Sequence, residues 1–182
     1  LLPDSVASRG AGSQCRLRDR RIPVAMRVQD ARGALDFLTP RPDVDPARIT
    51  LIGWSHGGST VLRVAGLMPD VPGFRRVIAF YPGCQSLIDR NWRARLPTTI
   101  LHGTDDDWTP VEPCEALARI GGAVTIETFA GAHHGFDAPN APLRQQRGLA
   151  FSKRGDGIAT SGTHEPSRQK AIERVMQILH DR

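Results

Sequence analysis

Three groups of residues in this chain have types and spacings suited to covalent acyl chemistry. Gly53-Trp54-Ser55-His56-Gly57-Gly58 places a serine in the G-x-S-x-G spacing. Where a strand turns sharply into a helix, such a serine is forced into strained backbone angles with its hydroxyl projecting, and small flanking residues let neighbouring backbone approach. The helix that follows would aim the backbone N–H of His56 at negative charge developing beside Ser55. A serine hydroxyl near its free pKa is a weak nucleophile, so it needs a base, and the base needs an acid to fix its tautomer. Asp105-Asp106-Asp107 and His133-His134 supply candidates for both.

The elements around these residues decide whether they can meet. Ile49-Thr50-Leu51-Ile52-Gly53 is a short apolar, β-branched run and predicts a buried strand immediately before the serine, with a helix from His56 to Leu67 immediately after it. Val77–Tyr81, Thr98–His102 and Val124–Phe129 predict three further strands, each ending in a loop rich in Gly, Pro or Asp. Apolar residues Val24, Val28, Ala31, Leu35 and Leu38 recur at spacings of three and four and predict an amphipathic helix that Pro40 and Pro42 stop. A helix over about 111–120 separates the last two strands, and Ala171, Ile172, Val175, Met176, Ile178 and Leu179 describe a terminal helix with Pro166 near its start. Leu1–Ser5 reads as the end of a buried strand, and the Gly- and Arg-rich segment from Ser8 to Arg21 as irregular. The polar, aperiodic stretch 138–163 predicts a long surface loop.

Strands alternating with helices imply an α/β fold, a mostly parallel sheet with helices on both faces, in which reactive groups collect at the carboxyl ends of the strands. Ser55 follows the first of these strands, the aspartates follow the third and the histidines the fourth. The order Ser, Asp, His is that of α/β-hydrolases, not of chymotrypsin-like or subtilisin-like proteases.

Composition narrows the field. The chain has 182 residues, 40% hydrophobic and 24% charged, which suits one soluble globular domain over 1–182. No run approaches the roughly 20 apolar residues of a membrane span. The net charge of +5 comes from scattered arginines without a nucleic-acid-binding motif, and the densest basic stretch, Arg16 to Arg21, reads as a solvated loop, so no nucleic-acid or membrane partner is assigned. Arg63, Arg75 and Arg76 read as solvated helix or turn residues. The three cysteines, Cys15, Cys84 and Cys114, lack the spacing of a zinc site, so no metal and no cofactor is expected. Their odd number leaves reduced thiols and a single disulfide both open.

Over nearly its whole length the chain resembles the dienelactone hydrolase family. The resemblance is carried by Gly-Trp-Ser-His-Gly-Gly, by Phe80-Tyr81-Pro82-Gly83-Cys84, by the pattern His-Gly-x-x-Asp-x-x-x-Pro ending at Pro110, and by Ala132-His133-His134-Gly135-Phe136-Asp137. It implies an α/β-hydrolase fold with Ser55 as nucleophile, His56 N–H in the oxyanion hole, Asp106 rather than its neighbours as the acid, and His134 rather than His133 as the base. It also implies a catalytic cycle in which water releases an acyl-enzyme. Members resembling dienelactone hydrolase proper use a cysteine nucleophile, so the serine here points to small-molecule esters or lactones in general. Trp54 and Trp108 are expected either to line an acyl pocket or to pack in the core, and His102 to be structural.

In the family, a His-Gly-x-Gly-type loop and the first strands of the sheet precede the segment matching Leu1–Ser5. The expectation is therefore an N-terminally truncated domain that lacks the strand between Leu1–Ser5 and Ile49–Gly53. Cys84 and Cys114, which follow adjacent predicted strands, would pair if the parent protein is exported, and the compartment stays open. Two other functions compete with ester hydrolysis: a serine peptidase resembling the prolyl oligopeptidase group, and a binding module without turnover. Pro-Gly-Cys and His-Gly-Phe-Asp favour the esterase, and the presence of serine, aspartate and histidine in matching contexts favours an enzyme.

Overall fold

Apolar strands that alternate with amphipathic helices bury most surface when the strands lie parallel and the helices cover both faces. The computed structural model, which describes residues 1–67 and 73–181, has this arrangement. Four strands, β1 (Thr50–Trp54), β2 (Arg76–Phe80), β3 (Ala94–Gly103) and β4 (Gly122–Phe129), form one parallel sheet in the order of the chain. Between them run α2 (His56–Leu67), the short α3 (Gln85–Ile88) and α4 (Glu112–Ile120), while α1 (Val24–Leu38) precedes the sheet.

Alternate strand residues face opposite layers. Val77, Ala79 and Ile100 pack with Val61, Leu62 and Ala65 of α2 and Leu117 of α4. Ile78, Phe80 and Leu101 face the other way, onto Phe136 and onto Ala171 and Ile178 of α5 (Glu165–His180). Ala31 and Leu35 give α1 its buried stripe, which packs with Val64 of α2 and with Phe74. The strands also end nearly level. Trp54 is registered beside Phe80, Phe80 beside Leu101, and Gly103 beside Phe129, so the loops that follow all four strands open on one rim.

Several boundaries differ from those read in the sequence. β3 begins at Ala94, and its register shifts between Ala94 and Thr98, where Pro97 has no N–H to offer the ladder. The stretch 138–163 is not wholly irregular: β5 (Arg144–Gln146) and β6 (Ala159–Ser161) pair antiparallel within it, each too short to show a period. α3, at four residues, is short for the same reason. Leu1–Ser5 form no strand, and Leu1 and Leu2 are 70% and 89% exposed, because no paired strand lies alongside to bury them. Arg76 is not merely solvated. Its guanidinium donates to the carbonyls of Ile178 and Asp181, satisfying acceptors that the end of α5 leaves open.

Cys84, just before α3, and Cys114, in α4, are joined as a disulfide with Cα atoms 5.1 Å apart, and Cys15 is free and exposed. The outer edge of β1 borders a cavity of about 240 Å³, lined on one side by Leu51, Ile52 and Gly53 and on the other by Leu2, Pro3 and Arg27. No described helix is long and apolar enough to cross a membrane.

Candidate active site

The rim at the carboxyl ends of the strands brings the three expected side chains together. Ser55 sits between β1 and α2 with φ 51°, in the left-handed region that side chains other than glycine seldom occupy. Its N–H donates to Phe80 O at 2.9 Å and its carbonyl accepts from Ser59 N–H at 2.9 Å, so the strained turn is held from the strand side and the helix side at once. A Cβ on Gly53 would stand 2.3 Å from Gly57 O, which explains the first glycine of the motif. The expectation that both flanking glycines must be small does not extend to Gly57, where a Cβ would meet nothing within 4 Å. On the helix side the close backbone approach falls one residue later, at Gly58, where a Cβ would stand 2.7 Å from Phe80 O.

His134 lies in the loop after β4. Its Nε2 is 2.9 Å from Ser55 Oγ and its Nδ1 is 2.8 Å from Asp106 Oδ2, so the three groups form one continuous hydrogen-bonded chain. Both partners of this hydrogen bond are buried, His134 at 5% exposure and Asp106 at 1%. Burial pushes the Asp106 carboxyl up, but the hydrogen bond from His134, the electrostatic influence of the neighbouring His134 and His102 rings and the N–H of Thr109 together hold it below its ordinary value. Asp106 therefore stays ionised and fixes the imidazole with a proton on Nδ1, which leaves Nε2 free to accept from Ser55.

The neighbouring residues that could have taken these places have other partners. Asp105 accepts from its neighbour Thr104 Oγ1 at 2.8 Å. Asp107 accepts from Thr160 N–H at 2.7 Å and from Thr160 Oγ1 at 3.2 Å, and its carbonyl accepts from Lys153 N–H at 2.8 Å, so it ties the β5–β6 ribbon to the turn after β3. The same ribbon reaches the histidine loop, where Gly162 N–H donates to His134 O at 3.1 Å. His133 does not touch Ser55 Oγ; its Nδ1 is buried without a partner. His102 is fully buried, with Nδ1 3.1 Å from Gly103 O, and burial lowers its pKa.

His56 opens α2, so its N–H has no partner within the helix and stands next to Ser55. Its ring nitrogens are both buried without partners, and burial, reinforced by the positive charges of Arg20 and Arg27, lowers its pKa to about 4. Trp54 and Trp108 belong to the rim, whereas Trp92 packs in the core. Trp54 is 42% exposed and stacks on Phe80 with ring centroids 5.5 Å apart, and the Trp108 ring lies 4.6 Å from that of His134.

Two further residues surround the chain of hydrogen bonds and were not singled out in the sequence. Thr109 Oγ1 lies 3.0 Å from Asp106 Oδ2, 3.1 Å from His134 Nδ1 and 3.0 Å from Tyr81 O. The Asp106-x-x-Thr109 spacing is the available signal, since Asp106 Oδ1 also accepts the N–H groups of Trp108 and Thr109 at 2.9 and 2.8 Å in a side-chain-stabilised turn. Tyr81 is the other, its ring centroid 4.5 Å from that of His134. In the sequence it is marked by its place at the end of a strand and within Phe80-Tyr81-Pro82-Gly83-Cys84, neither of which gives it a role.

A serine at a strained strand-to-helix turn, an imidazole bonded to it and a buried carboxylate behind the imidazole can together move the serine proton away as the oxygen forms a bond. Combined with a parallel sheet that sets these groups beyond the ends of its first, third and fourth strands, this defines an α/β-hydrolase. The chain belongs to the dienelactone hydrolase family, which residues 14–181 match. The curated proteins similar to it include the uncharacterized protein YfhR of Salmonella typhimurium, 31% identical over 124 residues that make up 50% of this chain and 42% of that protein. The Escherichia coli K12 protein of the same name is 29% identical over 62% of this chain and 43% of its own length. The chain thus spans less than half the length of the curated relatives it matches. Among solved structures, a putative dienelactone hydrolase from Klebsiella pneumoniae superposes with a TM-score of 0.67 at 19% identity, covering 89% of this chain and 63% of the other. A dienelactone hydrolase-like promiscuous phosphotriesterase from metagenomic libraries gives a TM-score of 0.62 at 22% identity, covering 85% and 61%. At these identities the likeness is one of fold.

Proposed function

We propose that this chain carries the catalytic centre of a carboxylic-ester hydrolase, acting on small-molecule esters or lactones. The observation that carries the reading is the unbroken hydrogen-bonded chain from Asp106 Oδ2 through the imidazole of His134 to Ser55 Oγ. Ser55 Oγ attacks the acyl carbon while its proton passes to His134 Nε2, and the carbonyl electron pair moves onto oxygen. The negative charge faces His56 N–H, a donor already in place before the charge forms. Collapse expels the alcohol, which takes the proton from His134. Water then attacks the acyl-enzyme with His134 as base, returning Ser55 and releasing the acid. Asp106 keeps its charge throughout and stabilises the imidazolium. Trp54 and Trp108 flank Ser55 and His134 and supply apolar walls for the acyl and leaving groups.

Intact-mass labelling with a fluorophosphonate tests the reading, alongside p-nitrophenyl ester turnover. A single adduct on the wild-type chain that is lost in Ser55→Ala, together with loss of ester turnover, is the expected result. A folded wild-type chain with no adduct and no turnover would overturn the reading in favour of a pocket that binds without chemistry.

A further inference from the structure

One carboxylate in the rim has a part that the proposed chemistry does not use. Asp137 Oδ2 accepts from Trp54 Nε1 at 2.6 Å, and its Oδ1 accepts from Tyr81 Oη at 2.7 Å. These donors come from different strands: Trp54 ends β1 and Tyr81 follows β2. Asp137 itself lies three residues beyond His134, and its carbonyl accepts from Arg168 Nε of α5 at 3.2 Å. A single side chain therefore ties the loop that carries His134 to the residue preceding Ser55 and to the ring that packs on His134.

The backbone makes the same connection. Among the described non-glycine residues, Ser55 and Tyr81 are two of only four with positive φ, at 51° and 36°. Strained conformations persist only where the surroundings over-determine them. Tyr81 is held at its N–H by Leu101 O at 2.9 Å, at its carbonyl by Thr109 Oγ1 at 3.0 Å and at its phenol by Asp137. Trp54, joined to Ser55 by the peptide bond, is held by its stacking on Phe80 and by the same carboxylate. Burial, with the adjacent Asp137 charge, raises the Tyr81 pKa, so the phenol remains a donor to that carboxylate.

We propose that Asp137 is a positioning residue, a clamp that fixes the distance between Ser55 Oγ and His134 Nε2 by binding the indole of Trp54 and the phenol of Tyr81 together. The proposal rests on the reading of Ser55, Asp106 and His134 as the reacting groups. It predicts an unusual order among variants. Asp137→Leu keeps the branched four-atom skeleton, with larger methyl groups in place of the oxygens, and removes both hydrogen bonds; kcat falls about tenfold to a hundredfold with KM little changed, the size of effect that follows from misplacing a reacting pair by about 1 Å. Asp137→Asn keeps both bonds, because the amide oxygen accepts from the indole, which can only donate, while the amide nitrogen donates to the phenol oxygen, which can also accept. Its kcat stays within about threefold of wild type. Tyr81→Phe loses one of the two bonds and falls between them.

The test is kcat and KM for a p-nitrophenyl ester in the three variants, with thermal melting to show that each is folded. A folded Asp137→Leu with wild-type kcat, or an Asp137→Asn as impaired as Asp137→Leu, would overturn the clamp. If Asp137→Leu does not fold, the comparison of Asp137→Asn with Tyr81→Phe decides, since equal impairment of the two contradicts the proposal. Ser55→Ala in the same assay separates the two levels: turnover that survives it defeats the reading of Ser55, not the clamp. In that case the clamp is read from the indole N–H resonance of Trp54, assigned with Trp54→Phe. It should lie downfield in wild type and move upfield in Asp137→Leu; an unmoved resonance overturns the clamp.

Discussion

The Thr109 hydroxyl stands 3.1 Å from His134 Nδ1, beside the Asp106 oxygen that the same nitrogen binds at 2.8 Å. It has one proton and two lone pairs to share among Asp106, His134 and the Tyr81 carbonyl. Replacing it with the isosteric Thr109→Val leaves the imidazole and carboxylate without that third partner. Hydrogen bonds to charged groups contribute about 1.5–3 kcal/mol, so ester turnover should fall about tenfold to a hundredfold with the fold intact, as kcat and a thermal melt would show.

The two glycines around Ser55 should behave oppositely. Gly53→Ala drives a Cβ to 2.3 Å from Gly57 O and 2.8 Å from Val61 Cγ1, an overlap that costs about 3 kcal/mol and distorts the serine turn. Gly57→Ala meets open space and gains helix propensity, roughly 0.5–1 kcal/mol. Urea midpoints of the two variants check both signs.

Acid should weaken the fold through His56. Its pKa in the folded chain, about 4, lies below the ordinary 6.5, so as pH falls the unfolded chain takes up the proton first. Stability is full above 6.5, falls progressively below it, and the contribution of this residue is exhausted near 4. Buried His102, lowered in the same direction, adds with the same sign. Denaturant melts at about pH 7 and about pH 5 should differ less in His56→Gln than in wild type.

The Cys84–Cys114 bond closes a loop with a sequence separation of 30. Opening it in the double variant Cys84→Ala/Cys114→Ala returns loop entropy to the unfolded chain, and stability should fall by about 3 kcal/mol. Calorimetry of the two forms measures the difference, and the exposed Cys15 should be the only thiol titrated in the native wild type.

What the sequence could reveal depended on how local each cause was. α1 and α2 span 24–38 and 56–67, the ranges that apolar spacing and the serine motif predict, because both signals lie within the element itself. That Ser55, Asp106 and His134 come together was legible because each lies in the turn or loop after a strand, and strand ends in a parallel sheet converge. Thr109, Tyr81 and Asp137 were not, because their roles exist only between loops that are far apart along the chain. Leu1–Ser5 read as a strand on composition alone, whereas a strand requires a hydrogen-bonding neighbour. β5 and β6 required the opposite correction: three polar residues each, with no pattern of their own, held in place by pairing with one another and by Asp107 and His134.

β1 has the composition of a sheet interior, yet among the described residues it pairs on one side only, with β2. The consequence concerns strand pairing. A strand edge whose outer N–H and C=O groups lack a ladder partner is a template for an extended chain that reaches it. Among the described residues Leu2 and Pro3 stand across a cavity of about 240 Å³ from Leu51 and Ile52, so an extended segment that pairs with β1 would have to enter between them.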